Sequence, residues 1–211
     1  MHKAEPSKEE LLQTKPDAFD SDSLRFDGPR GDRSKHLSRQ VLVEELRKLP
    51  APPREGGTVD LMVARGPNGE RLLHEQALLT PERGMPNDRW AAQHKYGIAF
   101  QLATTRHDVA RLIANGQPTE LHGDNLYLTL DLSSENLPAG SQLRMGQALL
   151  CVTPQPHNGC KKYIQRFGLA AMQLNLDPEF RAQHLRGIYL QVLQAGIVRL
   201  GDAIEVLTRG A

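Results

Sequence analysis

The spacing of apolar residues changes character along the chain. Up to about residue 35 apolar side chains are sparse, and "DSDSLRFDGPRGDRSK" has no usable period. Such a composition buries too little surface to offset chain entropy, so residues 1–35 are expected to form a flexible arm. Ser38 then opens "SRQVLVEELRKLP", where Leu42, Leu46 and Leu49 share a helical face and Pro50 ends the turn. This helical lead-in covers 38–49. Past "APPREGG" the period falls to two. "GTVDLMVAR" sets Val59, Leu61 and Val63 on one side, and "NLYLTLDL" sets Leu126, Leu128, Leu130 and Leu132 on one side. Gly140 and Gly146 punctuate two extended pieces in "AGSQLRMGQALLCVT". The run "GIYLQVLQAGIVRLGDAIEVL" reads as three short strands separated at Gly196 and at Gly201-Asp202.

Helical patterns interrupt the strands. "TTRHDVARLIANG" offers Thr104 and Thr105 as caps, Val109, Leu112 and Ile113 as the apolar face, and Gly116 as the stop. "KKYIQRFGLAAMQL" places Ile164, Phe167 and Ala171 at helical spacing. "DPEFRAQHL" begins with an Asp177 cap and Pro178 as first helical residue. The expected fold is mainly β with peripheral helices, a closed or partly closed antiparallel β-barrel. It is expected to occupy residues 36–211 as one domain. No internal repeat is visible.

Composition narrows the function classes. Twenty-six Lys and Arg against 25 Asp and Glu give a net charge of +1, which argues against bulk nucleic-acid or membrane binding. No apolar run approaches the roughly 20 residues of a membrane span, and no leader-like stretch opens the sequence. Two cysteines are too few for a disulfide framework. A reducing, cytoplasmic compartment is expected.

The chemistry concentrates in "TPQPHNGCKKYIQRFG". Cys160 follows a glycine, stands three residues after His157, and precedes Lys161 and Lys162. It lies where a strand ends and a helix begins. The helix N-terminus and the neighbouring cations both favour thiolate, the nucleophilic and metal-binding form. Gly159 leaves room for a bulky group beside the sulfur. From the residues alone, Cys160 is either a reactive thiol assisted by His157 or a loop cysteine beside solvated lysines. Cys151, inside "ALLCVT", reads as sheet filler. Asp124 and Asn125 either orient a polar ligand or cap a turn. Arg186-Gly187 either presents a guanidinium and bare backbone to a phosphate or simply opens a strand. No zinc-like histidine spacing, phosphate loop or serine nucleophile elbow is present.

Taken in order, "GDNLYLTLDL", "LPAGSQLRMGQALLCVT", "PHNGC" followed by "RFG", and "RGIYLQVLQAGIVRLGDAIEV" resemble the MOSC family, named for the molybdenum cofactor sulfurase C-terminal domain. "GTVDLMVARGPNGER" and "ERGMPNDRW" are similar to the family's opening strands, so the resemblance covers 57–209. It implies a β-barrel and matches Cys160 to the family's characteristic cysteine, which carries sulfur or ligates molybdenum in a bound pterin cofactor. Lys161, Lys162 and Arg186 are the cationic candidates for the cofactor's phosphate. At "GMPNDRW" Asn87 stands where the family usually has glycine; asparagine tolerates the left-handed conformation this turn needs. No stretch resembles the pyridoxal-phosphate desulfurase domain of the full sulfurases, so pyridoxal phosphate is not expected on this chain.

Three functions stay open. Cys160 ligates a molybdenum cofactor in oxo transfer to or from a small molecule, with an electron-transfer partner. Alternatively it carries a persulfide received from a cysteine desulfurase. Or the barrel binds a pterin or other anion without turnover. Oligomeric state is left open.

Overall fold

The computed structural model describes residues 8–93 and 97–210. Seven strands close into a barrel: β1 (Gly57–Arg65), β5 (Leu126–Thr129), β4 (Leu102–Arg106), β8 (Ile188–Gln194), β7 (Ala148–Val152), β6 (Gln142–Met145) and β10 (Ala203–Thr208), which pairs back onto β1. Strand β2 (Arg71–Leu73) extends β1, and β3 (Gln76–Leu79) pairs with β9 (Gly196–Arg199) in a separate ribbon. The helices are α1 (Lys8–Gln13), α2 (Arg39–Lys48), α3 (Trp90–Gln93), α4 (His107–Ala114) and α5 (Lys161–Leu176).

The barrel is mixed, which corrects the antiparallel expectation. Strands β4 and β5 run parallel, pairing Thr104 with Leu126 and Arg106 with Leu128. Parallel neighbours need a crossover, and α4 supplies it. Thr104 and Thr105 are accordingly buried strand residues and not helix caps; Arg106 occupies the cap position, and its side chain bonds Asp108 instead of capping the helix. Asn115, in the left-handed conformation, closes α4 just before Gly116.

Inside the barrel, Leu126, Leu128, Leu130 and Leu132 pack with Val59, Met62, Leu143, Leu150, Leu190 and Ile204. The alternation expected along β1 does not persist. A register shift between Val59 and Leu61 moves the inward face to Met62 and Ala64, while Leu61 and Val63 pack outward with Ala110 and Tyr127. One extra residue in a strand reverses every later side chain.

A second apolar layer joins Leu42 and Leu46 of α2, Val109 and Ile113 of α4, and Tyr163, Ile164, Phe167 and Leu174 of α5. Ser38 caps α2 by accepting from the Val41 N–H. Helix α5 is broken at Gly168 (φ 88°, ψ 161°), and His36 stands where a side chain there would go. Asp177 terminates α5 instead of starting another helix; only the short turn Arg181–Gln183 follows.

From Lys8 on, the segment expected to be a loose arm lies along α5. Gln165 exchanges hydrogen bonds with the Gly31 N–H and carbonyl, Arg166 Nε donates to the Pro29 carbonyl, and Lys162 Nζ donates to the Asp27 carbonyl. Gln173 donates to the carbonyls of Leu11 and Thr14.

Candidate functional site

Strand β7 ends at Val152, and "TPQPHNGC" leads from it into α5. Cys160 occupies the cap position of α5 in extended conformation, and its carbonyl accepts the first helical N–H groups, from Tyr163 and Ile164. Its side chain is exposed and makes no capping bond. Gly159, at φ 77°, holds the turn before it; a side chain there would meet Met172 Sδ at 2.9 Å. The tight fit of this loop on α5 therefore sets where the thiol emerges.

Cationic groups surround that point. Lys162 and Arg166 lie one helical turn apart on α5, and both are within electrostatic reach of Cys160 and of Arg89. Arg166 is buried. Its Nε and Nη1 donate to the carbonyls of Pro29 and Leu121, and among the described residues it forms no ion pair with a carboxylate. Burial, and then repulsion from Arg71, pull its guanidinium down to about 10. Among the described residues Arg71 donates only to carbonyls, those of Glu120, Gly69 and Glu70, and is lowered by burial despite the opposing influence of Tyr127. Lys162 and Arg166 also stand over the Phe26 ring, at 5.5 and 5.7 Å from its centroid.

Beside this cationic mouth lie two buried ion pairs. Arg65 forms a fork on Asp88, with Nε to Oδ2 at 2.8 Å and Nη2 to Oδ1 at 2.9 Å. Burial opposes both charges, and the pairing outweighs it: Arg65 is raised and Asp88 lowered. Asn87, at φ 62°, makes the turn that delivers Asp88, in the conformation expected of it. Arg186 Nη1 meets Asp124 Oδ2 at 2.6 Å, and Nη2 donates to the His122 carbonyl. Burial again opposes the Arg186 charge, and Asp124 restores it to above its ordinary value.

The predicted site residues separate into groups. Cys160 and Lys162 flank the cationic mouth; Lys161 is the first residue of α5 and half-buried. Arg186 and Asp124 lie deeper as a pair. His157 turns inward, with its ring 4.4 Å from that of Tyr189 and Nε2 3.5 Å from Asp124 Oδ1. Burial, then Arg186 and Arg65, hold its pKa well below the ordinary histidine value, so it is neutral at pH 7. Asn125 is fully occupied by protein: it accepts from the Ala103 N–H and donates to the Val63 carbonyl and to Asp88. Arg65, Arg71 and Arg89 were not foreseen. "NDRW" lay within the family-like stretch and was the available signal for Arg89. Nothing in "GERLLH" marks Arg71, which reaches the site only through the pairing of β2 with β1. Cys151 is a half-buried β7 residue whose thiol is pushed up by burial.

The arrangement joins an accessible sulfur to an anion-attracting surface. Among the described residues no group of three His, Cys, Asp or Glu side chains is placed to hold a metal ion. A metal at Cys160 would therefore take its other ligands from a bound molecule.

Residues 84–205 match the MOSC domain family, and the chain belongs to it. No curated protein matches the chain. Among solved structures, it is similar to the YUAD protein from Bacillus subtilis, at 19% identity and a TM-score of 0.53 over 72% of this chain and 95% of that one. It is also similar to YiiM from Geobacillus stearothermophilus, at 15% identity and a TM-score of 0.52 over 74% and 77% of the two chains. A structure described as a hypothetical protein gives 21% identity and a TM-score of 0.54 over 74% and 71%. At these identities the likeness is one of fold. Among the described residues no helix is long and apolar enough to cross a membrane.

Proposed function

We propose that the protein binds a molybdenum cofactor of the pterin type, with Cys160 as metal ligand, and acts in oxo transfer on a small molecule. One observation carries this reading: an exposed thiol beside a buried guanidinium, Arg166, that has no carboxylate partner among the described residues and is crowded by other cations. A buried charge normally needs an opposite charge. A phosphate-bearing ligand supplies one, and thiolate is a soft ligand suited to a redox metal.

When bound, the cofactor supplies a redox-active oxo-transfer centre. Cys160 would fix its position. Arg166, Arg71, Arg89 and Lys162 would hold its anionic end. Arg65 and Asp88 keep the loop carrying Arg89 in place through the Asp88 bond to the Trp90 N–H. His157 is held neutral by burial and the neighbouring arginines, and so offers a ring nitrogen without adding charge. An electron-transfer partner completes the cycle.

The test is molybdenum content in protein purified anaerobically from a host that makes the cofactor. Near-stoichiometric metal in the wild type, lost in Cys160→Ser, supports the reading. Metal-free protein with the cofactor available would overturn it.

A second reading is favoured by the exposure of Cys160: a persulfide carrier loaded by a cysteine desulfurase. Another protein reaches this thiol without opening the fold. It predicts cyanide-labile sulfur on the wild type and none on Cys160→Ser. In a third reading, a non-catalytic anion-binding module, Cys160→Ala would bind its ligand within a few-fold of wild type.

A further inference from the structure

Residues 25–29 form a tip held between two anchors. On one side Leu24 is buried in the apolar layer of α2, α4 and α5. On the other, Gly31 lies so close to α5 that a Cβ there would strike the Arg166 carbonyl, and Gln165 bonds both its N–H and its carbonyl. Arg30 ties the anchors together by donating to the Leu24 carbonyl at 3.1 Å. Gly28, at φ 107°, turns the tip, and the turn rests on Gly69, where an added Cβ would come within 2.7 Å of Gly28 Cα.

The tip is fastened by the cationic mouth. Among the described residues, the hydrogen bonds that reach it from outside its own segment come from two groups. Lys162 Nζ donates to the Asp27 carbonyl at 3.0 Å, and Arg166 Nε donates to the Pro29 carbonyl at 2.9 Å. The same two cations stand over the Phe26 ring, with Arg30 as a third at 5.4 Å from its centroid. Asp27 is exposed, and its carboxylate acts on Lys162 electrostatically. The tip therefore spends the donors that an anion would use. An oxyanion brings these cations a Coulomb attraction that a neutral carbonyl lacks.

We propose that residues 25–29 are a lid on the cationic mouth, competing with an oxyanion for Lys162 and Arg166, so that anion binding releases the tip while Leu24 and Gly31 stay anchored. The lid rests on the reading that these cations seat an anion, and adds that the chain's own N-terminal segment regulates the seat. Linkage makes the effect reciprocal: what loosens the tip strengthens the anion's hold, and the anion exposes the tip.

The test is calorimetric titration of the full chain with inorganic phosphate, paired with limited trypsin digestion followed by mass at the Arg25–Phe26 bond. Cleavage after the exposed Arg83 is the internal control. Saturating phosphate should speed cleavage after Arg25 about fivefold or more and leave cleavage after Arg83 unchanged. Lys162→Gln removes one fastening and should speed the first cleavage with no phosphate present. Phe26→Ala weakens the tip's hold on both cations and should tighten phosphate about threefold. Asp27→Asn, at an exposed position, should tighten it about twofold at low salt. Saturable phosphate binding with cleavage after Arg25 unchanged or slowed would overturn the lid and leave the anion seat standing. So would an affinity unaltered in both Phe26→Ala and Asp27→Asn. No phosphate binding by the wild type or either variant would overturn the seat, and the lid with it.

Discussion

At the scale of the residue, the cationic mouth and the ion pairs beneath it make different demands. Arg89 and Lys162 are in electrostatic contact with Arg166 but support no internal packing comparable to it. Replacing both with glutamine should leave stability nearly unchanged and weaken inorganic phosphate binding about tenfold per charge removed, measured calorimetrically at low salt. A phosphate affinity unchanged by the double substitution would remove these residues from the anion site. Asp124 behaves oppositely. It is fully buried against Arg186, so Asp124→Ala leaves a guanidinium in the interior with no counter-charge. The expected loss is about 3–5 kcal/mol in urea unfolding. A loss below about 1 kcal/mol would mean that Arg186 finds another partner or reaches water.

At the scale of the element, legibility in the sequence followed the regularity of the backbone. Leucines 126, 128, 130 and 132 announced their strand because nothing interrupts the period, and Ser38 announced α2 because its cap is local. Strand β1 was read out of phase after Asp60 because a bulge is set by the strand's partners and not by its own composition. Thr104 and Thr105 look like helix caps in the sequence but are strand residues, because a βαβ crossover joins strand to helix with no loop between them. Cys160 and Lys162 stand out by residue type at a strand-to-helix junction, and Arg186 by its place just before a strand. Arg71 could not, since it comes from a three-residue strand whose position only the sheet defines. The sharpest backbone demand lies at Gly187. Its φ is 104°, and a Cβ there would strike the Thr104 carbonyl of the neighbouring strand. Gly187→Ala should cost about 3 kcal/mol and shift Arg186 with it, since the two are adjacent. Thermal unfolding measures the first effect and the Arg186 Nε–H resonance the second.

At the scale of the whole molecule, the buried histidines tie stability to pH. His122 stacks on Phe167 at 4.1 Å between ring centroids and bonds through Nε2 to the Ala110 carbonyl. Tyr163 meets it edge-on, and Arg186 and Arg166 face it electrostatically. Burial, followed by Arg186, keeps its pKa well below the ordinary 6.5. The unfolded chain therefore takes up a proton on His122 near pH 6.5, while the folded protein does so only at much lower pH. Below 6.5 the unfolded state binds more protons, so stability falls as pH falls; above it this contribution is complete. The slope reaches about 1.4 kcal/mol per pH unit for each such group. His157 acts with the same sign. Urea midpoints should thus fall steeply from pH 6.5 towards 5. His122→Phe removes one of three such groups, His36 being held low by burial as well, and should make the decline shallower, even if it lowers stability at pH 8 by losing the bond to Ala110. An equal slope in the variant would show that His122 is as easily protonated folded as unfolded, and hence that water enters the layer between α4 and α5.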